Sequence, residues 1–168
     1  MEEKLNIVAQ EIRRIAFDWE EKLKGLTEEE RVTRLNRQGR NIKLIIGHLI
    51  DSASNNHQRM IRLQYTSNLD FPGYSTENDM WISIQQYHSE DWNEMLQLWK
   101  YYILHIAHII AHTDHSWLSN EWMDGKNDPI TLNDVIFGYL AHLRLHMSEI
   151  NALLEQNGNG KKHTSLEN

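Results

Sequence analysis

Gly138-Tyr-Leu-Ala-His142-Leu-Arg-Leu-His146-Met-Ser-Glu-Ile150 has the period of an amphipathic α-helix and carries two histidines one turn apart. Residues at i and i+4 share a helix face, and this face also holds Val135, Tyr139, Ile150 and Leu153, which are mostly apolar. The two imidazoles therefore point inward. Neutral imidazoles side by side in an interior need partners for all their ring nitrogens, and a divalent metal takes one nitrogen from each ring.

Outward from this segment the same helical period recurs. The last helix is expected from about Thr131, with Thr131 or Asp128 as its cap, to Gln156, closed by Asn157-Gly-Asn-Gly160. A first helix over Glu2 to Leu23 turns Leu5, Val8, Ile12, Ile15 and Trp19 inward, and Thr27-Glu-Glu-Glu30 reads as a capping box opening a short new start. A second long helix spans Asn41 to Tyr65 with His48 at one edge of its apolar face. A third, capped by Asp91, buries Trp92, Met95, Trp99, Ile103, Ile106 and Ile110. Between them lie two irregular segments. Ser67 to Glu90 reads as loop with one short helical piece at Trp81-Ile-Ser-Ile84, and His115 to Asn127 as loop with a turn at Asp124-Gly125. Four long amphipathic helices without an alternating strand pattern predict an all-α four-helix bundle over residues 1–156, followed by a tail over 157–168.

A chain of 168 residues can bury a core without a metal staple, so a metal here would be functional rather than structural. The sequence has no cysteine, which excludes thiolate zinc, cysteine nucleophiles and iron–sulfur clusters and leaves histidine, carboxylate and water as ligands. A charged start, Met1-Glu-Glu-Lys-Leu5, and the lack of a long apolar run make a cytoplasmic protein with no membrane partner the expectation. The formal net charge of −7 argues against nucleic acid as a partner. The one basic cluster, Arg31, Arg34, Arg37 and Arg40, reads as a solvated segment ahead of a helix. No glycine-rich phosphate cradle occurs.

His48, next to the small Gly47 that would admit a close neighbour, is the best third partner for His142 and His146. Three imidazoles with a fourth position left to water is the pattern of a catalytic rather than a structural zinc site. A rival exists on the third helix. Tyr101, His105, His108, His112 and His115 form a stripe almost opposite that helix's apolar face, expected to meet solvent or a partner subunit, although its spacing alone would suit a metal.

The run Gly47-His48-Leu-Ile-Asp-Ser-Ala-Ser-Asn-Asn-His-Gln-Arg59 and, far downstream, His142-Leu-Arg-Leu-His146 resemble the DinB-like superfamily of bacterial proteins. That group includes the YfiT-type metal-dependent hydrolases and the bacillithiol and mycothiol S-transferases. The resemblance covers about Met1 to Gln156. It implies a four-helix bundle with a long crossover and one divalent ion, zinc or nickel, on three histidines, matched here by His48, His142 and His146. Such an ion can acidify water or hold a thiolate.

Helical geometry suggests further roles. Asp51, Asn55 and Arg59 lie within about 60° of His48 around the axis, as a base or orienting group, a substrate contact and an anion contact respectively. Glu149 is placed to orient a ligand imidazole, and Tyr139 to line the pocket or give a proton. Trp81, Trp117 and Trp122 would roof an apolar cleft. Two readings remain open: an enzyme acting on a small molecule, with a thiol as one choice of substrate, or a non-catalytic metal- or ligand-binding bundle. The stripe and the loop aromatics point to a homodimer in either case.

Overall fold

The computed structural model describes residues 2–74, 76–123 and 128–160, the last five by backbone alone. Four long helices form the body: α1 (Glu2–Lys24), α3 (Ile42–Arg62), α5 (Trp92–Ala111) and α6 (Leu132–Gly160), with the short α2 (Glu28–Val32) and α4 (Asn78–Gln85) between them. Helix α1 packs on α5 and α6, and α3 packs on the same two, so α3 and α6 are neighbours along one side of the bundle. That adjacency lets a residue of α3 meet the histidines of α6.

The helix starts follow local chemistry. Thr27 and Glu30 exchange side-chain and backbone hydrogen bonds in a capping box, and Asp91 accepts from the backbone N–H groups of Asn93 and Glu94. Asn41 caps α3 through Leu44 N–H, while Thr131 and Asp134 cap each other reciprocally at the start of α6. The expected apolar stripe of α5 is buried throughout, with Trp99 fully enclosed. No helix among the described residues is long and apolar enough to cross a membrane.

Two features depart from the sequence reading. The two irregular segments are joined by a small sheet, β1 (Asn68–Asp70), β2 (Glu121–Met123) and β3 (Ile130–Thr131), in which β1 runs parallel to β2 and β2 antiparallel to β3. Strands of two or three residues show no alternation to read, and their identity rests on pairing between segments far apart in the chain. Helix α6 runs on to Gly160, past the expected end at Gln156, so Asn157-Gly-Asn-Gly160 lies inside it; glycine weakens a helix without obliging it to stop. The expected turn at Asp124-Gly125 and the tail beyond residue 160 lie outside the described residues.

The basic cluster also needs correction. Arg40 is buried, with Nε and Nη2 both donating to Asp79 Oδ1 on α4, and Arg31 lies over the Trp92 ring. Arg40 thus ties α4 to the start of α3.

Candidate metal centre

Helix α3 supplies His48, and α6 supplies His142 and His146. Their Nε2 atoms converge: His142 Nε2 lies 3.2 Å from that of His48 and 3.0 Å from that of His146, and one donor atom from each ring falls within 4.8 Å of the others. His48 and His146 are buried and His142 is half-buried. Each Nδ1 faces away from the point of convergence and has its own partner. His146 Nδ1–H donates to Glu149 Oε2 at 2.8 Å, and Asn36 Nδ2 donates to the same oxygen at 3.1 Å. His48 Nδ1 meets the Tyr74 hydroxyl at 3.0 Å, which in turn donates to Asp51 Oδ2 at 3.4 Å. His142 Nδ1 lies 3.3 Å from Ser52 Oγ.

This arrangement assigns tautomers. A carboxylate only accepts, so His146 carries its proton on Nδ1; the Tyr74 hydroxyl gives its proton to Asp51, so His48 donates to it from Nδ1. Both rings then present Nε2 lone pairs to His142 Nε2. One proton there can answer one of these lone pairs, whereas a divalent cation answers all three nitrogens. The residues therefore fit a three-histidine site, and the outward partners are the kind that orient ligand imidazoles.

Electrostatics favour the uncharged, ligating form. Burial, then His146, His142 and Arg40, lowers His48 from the ordinary 6.5 to about 2. Burial and His146 lower His142 to about 4, with Glu149 opposing and Arg40 adding. Burial also lowers His146, against the hydrogen bond and charge of Glu149. Burial raises the Asp51 carboxyl, although the donors Tyr87, Gln85 and Tyr74 and the charge of Arg40 pull the other way.

Asp51 is the hub of a buried network that stands behind His48. Its Oδ1 accepts from Tyr87 and from Gln85, each at 2.6 Å. The Tyr87 ring occupies the space beside Gly47, where an added Cβ would sit 2.3 Å from Tyr87 Cδ2. The close neighbour that Gly47 admits is thus the single turn Tyr87–Ser89 after α4. Neither Tyr74 nor Tyr87 is identifiable as a site residue from helical spacing, because both sit in the excursion between α3 and α5.

A cleft of about 350 Å³ opens on His48 and His142 and is further lined by Ser52, Asn56, Arg59, Tyr74, Asn78, Trp122, Val135 and Tyr139, among others. Asn55, the expected contact, is not among the residues that line the cleft, whereas Asn56 is; each amide donates to a backbone oxygen one turn earlier in α3, Asn55 to Asp51 O and Asn56 to Ser52 O. Around α3, Ser52, Asn56 and Arg59 are offset from His48 by about 40°, 80° and 20° in one sense, whereas Asp51 and Asn55 are offset by about 60° and 20° in the other. The cleft lies on the first side, a choice that spacing alone does not make. Asp51 accordingly stands behind His48, not over the cleft.

Arg59 is where the sequence placed it, buried and stacked over Trp122 at 3.9 Å, and Trp122 Nε1 donates to Phe71 O at 2.7 Å. Tyr139 lines the cleft, and its buried hydroxyl has no hydrogen-bond partner among the described residues. Of the expected roof, Trp122 lines the cleft, Trp81 packs edge-on against Tyr74, and Trp117 is exposed and not part of the lining.

His105, His108, His112 and His115 are exposed. Among the described residues, the only group of three or more potential ligands that converges is His48, His142 and His146, so the stripe is not a three-donor site. It is joined by His57 of α3, whose ring meets His105 edge-on at 5.2 Å.

No protein-family model matches the chain, and no curated protein matches it. Among solved structures it is similar to YfiT from Bacillus subtilis, described as a probable metal-dependent hydrolase with an unusual four-helix bundle topology. The TM-score is 0.82 at 16% identity, over 94% of this chain and 90% of that one. The likeness establishes the class of fold, a four-helix bundle of the YfiT type.

Proposed function

We propose that this chain is a metal-dependent enzyme of the DinB-like superfamily, a hydrolase or thiol S-transferase acting on a small molecule, with zinc or nickel on His48, His142 and His146. The observation that carries the reading is the convergence of three Nε2 atoms, each ring oriented from behind, at the wall of an open cleft. The fold shared with YfiT, a probable metal-dependent hydrolase, supports it. An ion held by His48, His142 and His146 would supply Lewis acidity there.

The chain's own residues do the rest. Glu149 and Tyr74 hold His146 and His48 in their ligating tautomers, and Ser52 meets the outward nitrogen of His142. Asp51, with its oxygens occupied by Tyr87, Gln85 and Tyr74, orients His48 through the Tyr74 hydroxyl rather than moving a proton in the cleft. Arg59, held flat by Trp122, gives the cleft a positive end suited to an anionic group of the substrate. Asn56 and Tyr139 complete the wall of the cleft. At about 350 Å³ the cleft suits a small molecule.

The test is turnover by chain stripped and reloaded with one equivalent of zinc or nickel, on esters, amides and thiol-plus-electrophile pairs. Turnover that rises with occupancy and disappears in His142→Ala is expected. Full occupancy without turnover of any class, together with an unchanged cobalt(II) spectrum when thiols are added, would leave a non-catalytic metal-binding bundle.

A further inference from the structure

We propose that His108 and His112, on the exposed face of α5, form a second divalent-metal site, weaker than the core one and suited to zinc, nickel or copper(II). The site is independent of the enzymatic reading above. The two residues are one helical turn apart, and their ring centres lie 4.2 Å apart with planes tilted by 38°. On α6, the pair His142 and His146 has ring centres 4.5 Å apart. Both rings of the α5 pair are open to solvent. Two histidines at i and i+4 on one helix face are a recurring zinc-binding element.

One contact organises the pair before any ion arrives. His112 Nδ1–H donates to His108 O at 2.8 Å, which places the proton on Nδ1 and leaves the Nε2 lone pair pointing away from the backbone. His112 is also the C-cap of α5, so the pair occupies the last turn, where the helix dipole is negative and favours a cation. His105 stacks on the far side of His108 with planes 15° apart at 6.4 Å, and His57 abuts His105 from α3. His57 Nδ1 meets the Tyr102 hydroxyl at 3.2 Å. The rings thus form a ladder across the two helices in which the His108–His112 step is the shortest.

No third histidine or carboxylate donor among the described residues converges on this pair, so the remaining coordination positions go to water. Two imidazoles and water bind less tightly than three imidazoles, and with no imposed geometry the order of affinity follows the intrinsic preference for copper(II) over nickel and zinc.

Equilibrium dialysis of the full, untagged chain against zinc tests this. Two classes of site are expected. The tight class is lost in His48→Ala and retained in the double variant H108A/H112A. The weak class is retained in His48→Ala and His115→Ala, and falls by about tenfold or more in either His108→Ala or His112→Ala. Zinc-induced shifts of the His108 and His112 ring nitrogens in nitrogen-15 spectra identify the ligands directly. A weak class that survives unchanged in H108A/H112A overturns the proposal. A wild-type chain with no tight class, but with a weak class lost in H108A/H112A, would refute the core reading and leave this one standing.

Discussion

Helices α5 and α6 each carry histidines one turn apart at nearly the same ring separation, 4.2 Å for His108 and His112 against 4.5 Å for His142 and His146. Their surroundings differ in every other respect. On α6 a neighbouring helix supplies a third imidazole, burial holds the rings uncharged, and Glu149 and Ser52 occupy the outward nitrogens. On α5 the pair faces water, and one ring is fixed by its own helix alone. Spacing gives a pair of donors, and what packs against that pair decides how tightly it can hold an ion.

Acid should act most strongly on the core triad. His48, His142 and His146 are harder to protonate folded than unfolded, so as pH falls through 6.5 the unfolded chain takes up protons first. Their contribution to the stability of the metal-free chain is complete above that value and is lost below it, down to about 4 for His142 and about 2 for His48. Between pH 7.5 and 5 the loss should reach about 2 kcal/mol for each of these two. Urea unfolding of chelator-treated protein measures it, and a flat profile would break the contrast.

The outward partner comes next. Glu149→Ala should weaken tight metal binding by about 10- to 100-fold. Equal affinity in that variant would mean that the carboxylate does not orient His146, and the core pair would be no better supported than the exposed one.

A smaller effect concerns the packing that keeps the core triad in register. Gly47→Ala drives a Cβ into the Tyr87 ring and should cost about 1–3 kcal/mol of stability by thermal or urea unfolding. At Gly138, on the cleft side of α6, an added Cβ meets nothing within 4 Å, and Gly138→Ala should stabilise the helix by about 0.5–1 kcal/mol. A neutral Gly47→Ala would detach Tyr87 from the support of His48.

Much of this molecule was legible because its determinants are local. Helical period, the Thr27 and Asp91 caps and the inward face of α6 follow from residues within a few positions of one another. His48, His142 and His146 could be chosen because a histidine on an apolar face demands a partner. What escaped depends on packing between distant segments. Asn56 in place of Asn55 is a matter of which side of α3 the cleft opens on. Tyr74 and Tyr87 act only because the excursion folds back onto α3, and the buried Arg40 has its partner on α4. The strands exist only as pairs. Ser52 was within reach, since it stands one turn after His48 on the same face.

The most direct test of the central claim is the metal content of untagged protein purified without added metal, measured in the wild type, His48→Ala, His142→Ala, His146→Ala and H108A/H112A. About one equivalent of a divalent ion is expected in the wild type and in the double variant, and almost none in the three core variants. Each lost imidazole should cost about 3 kcal/mol, or roughly 100- to 200-fold in affinity, if a four-ligand zinc site is worth about 10–16 kcal/mol. Metal retained in the core variants and lost in H108A/H112A would place the site on the surface of α5 and contradict the account.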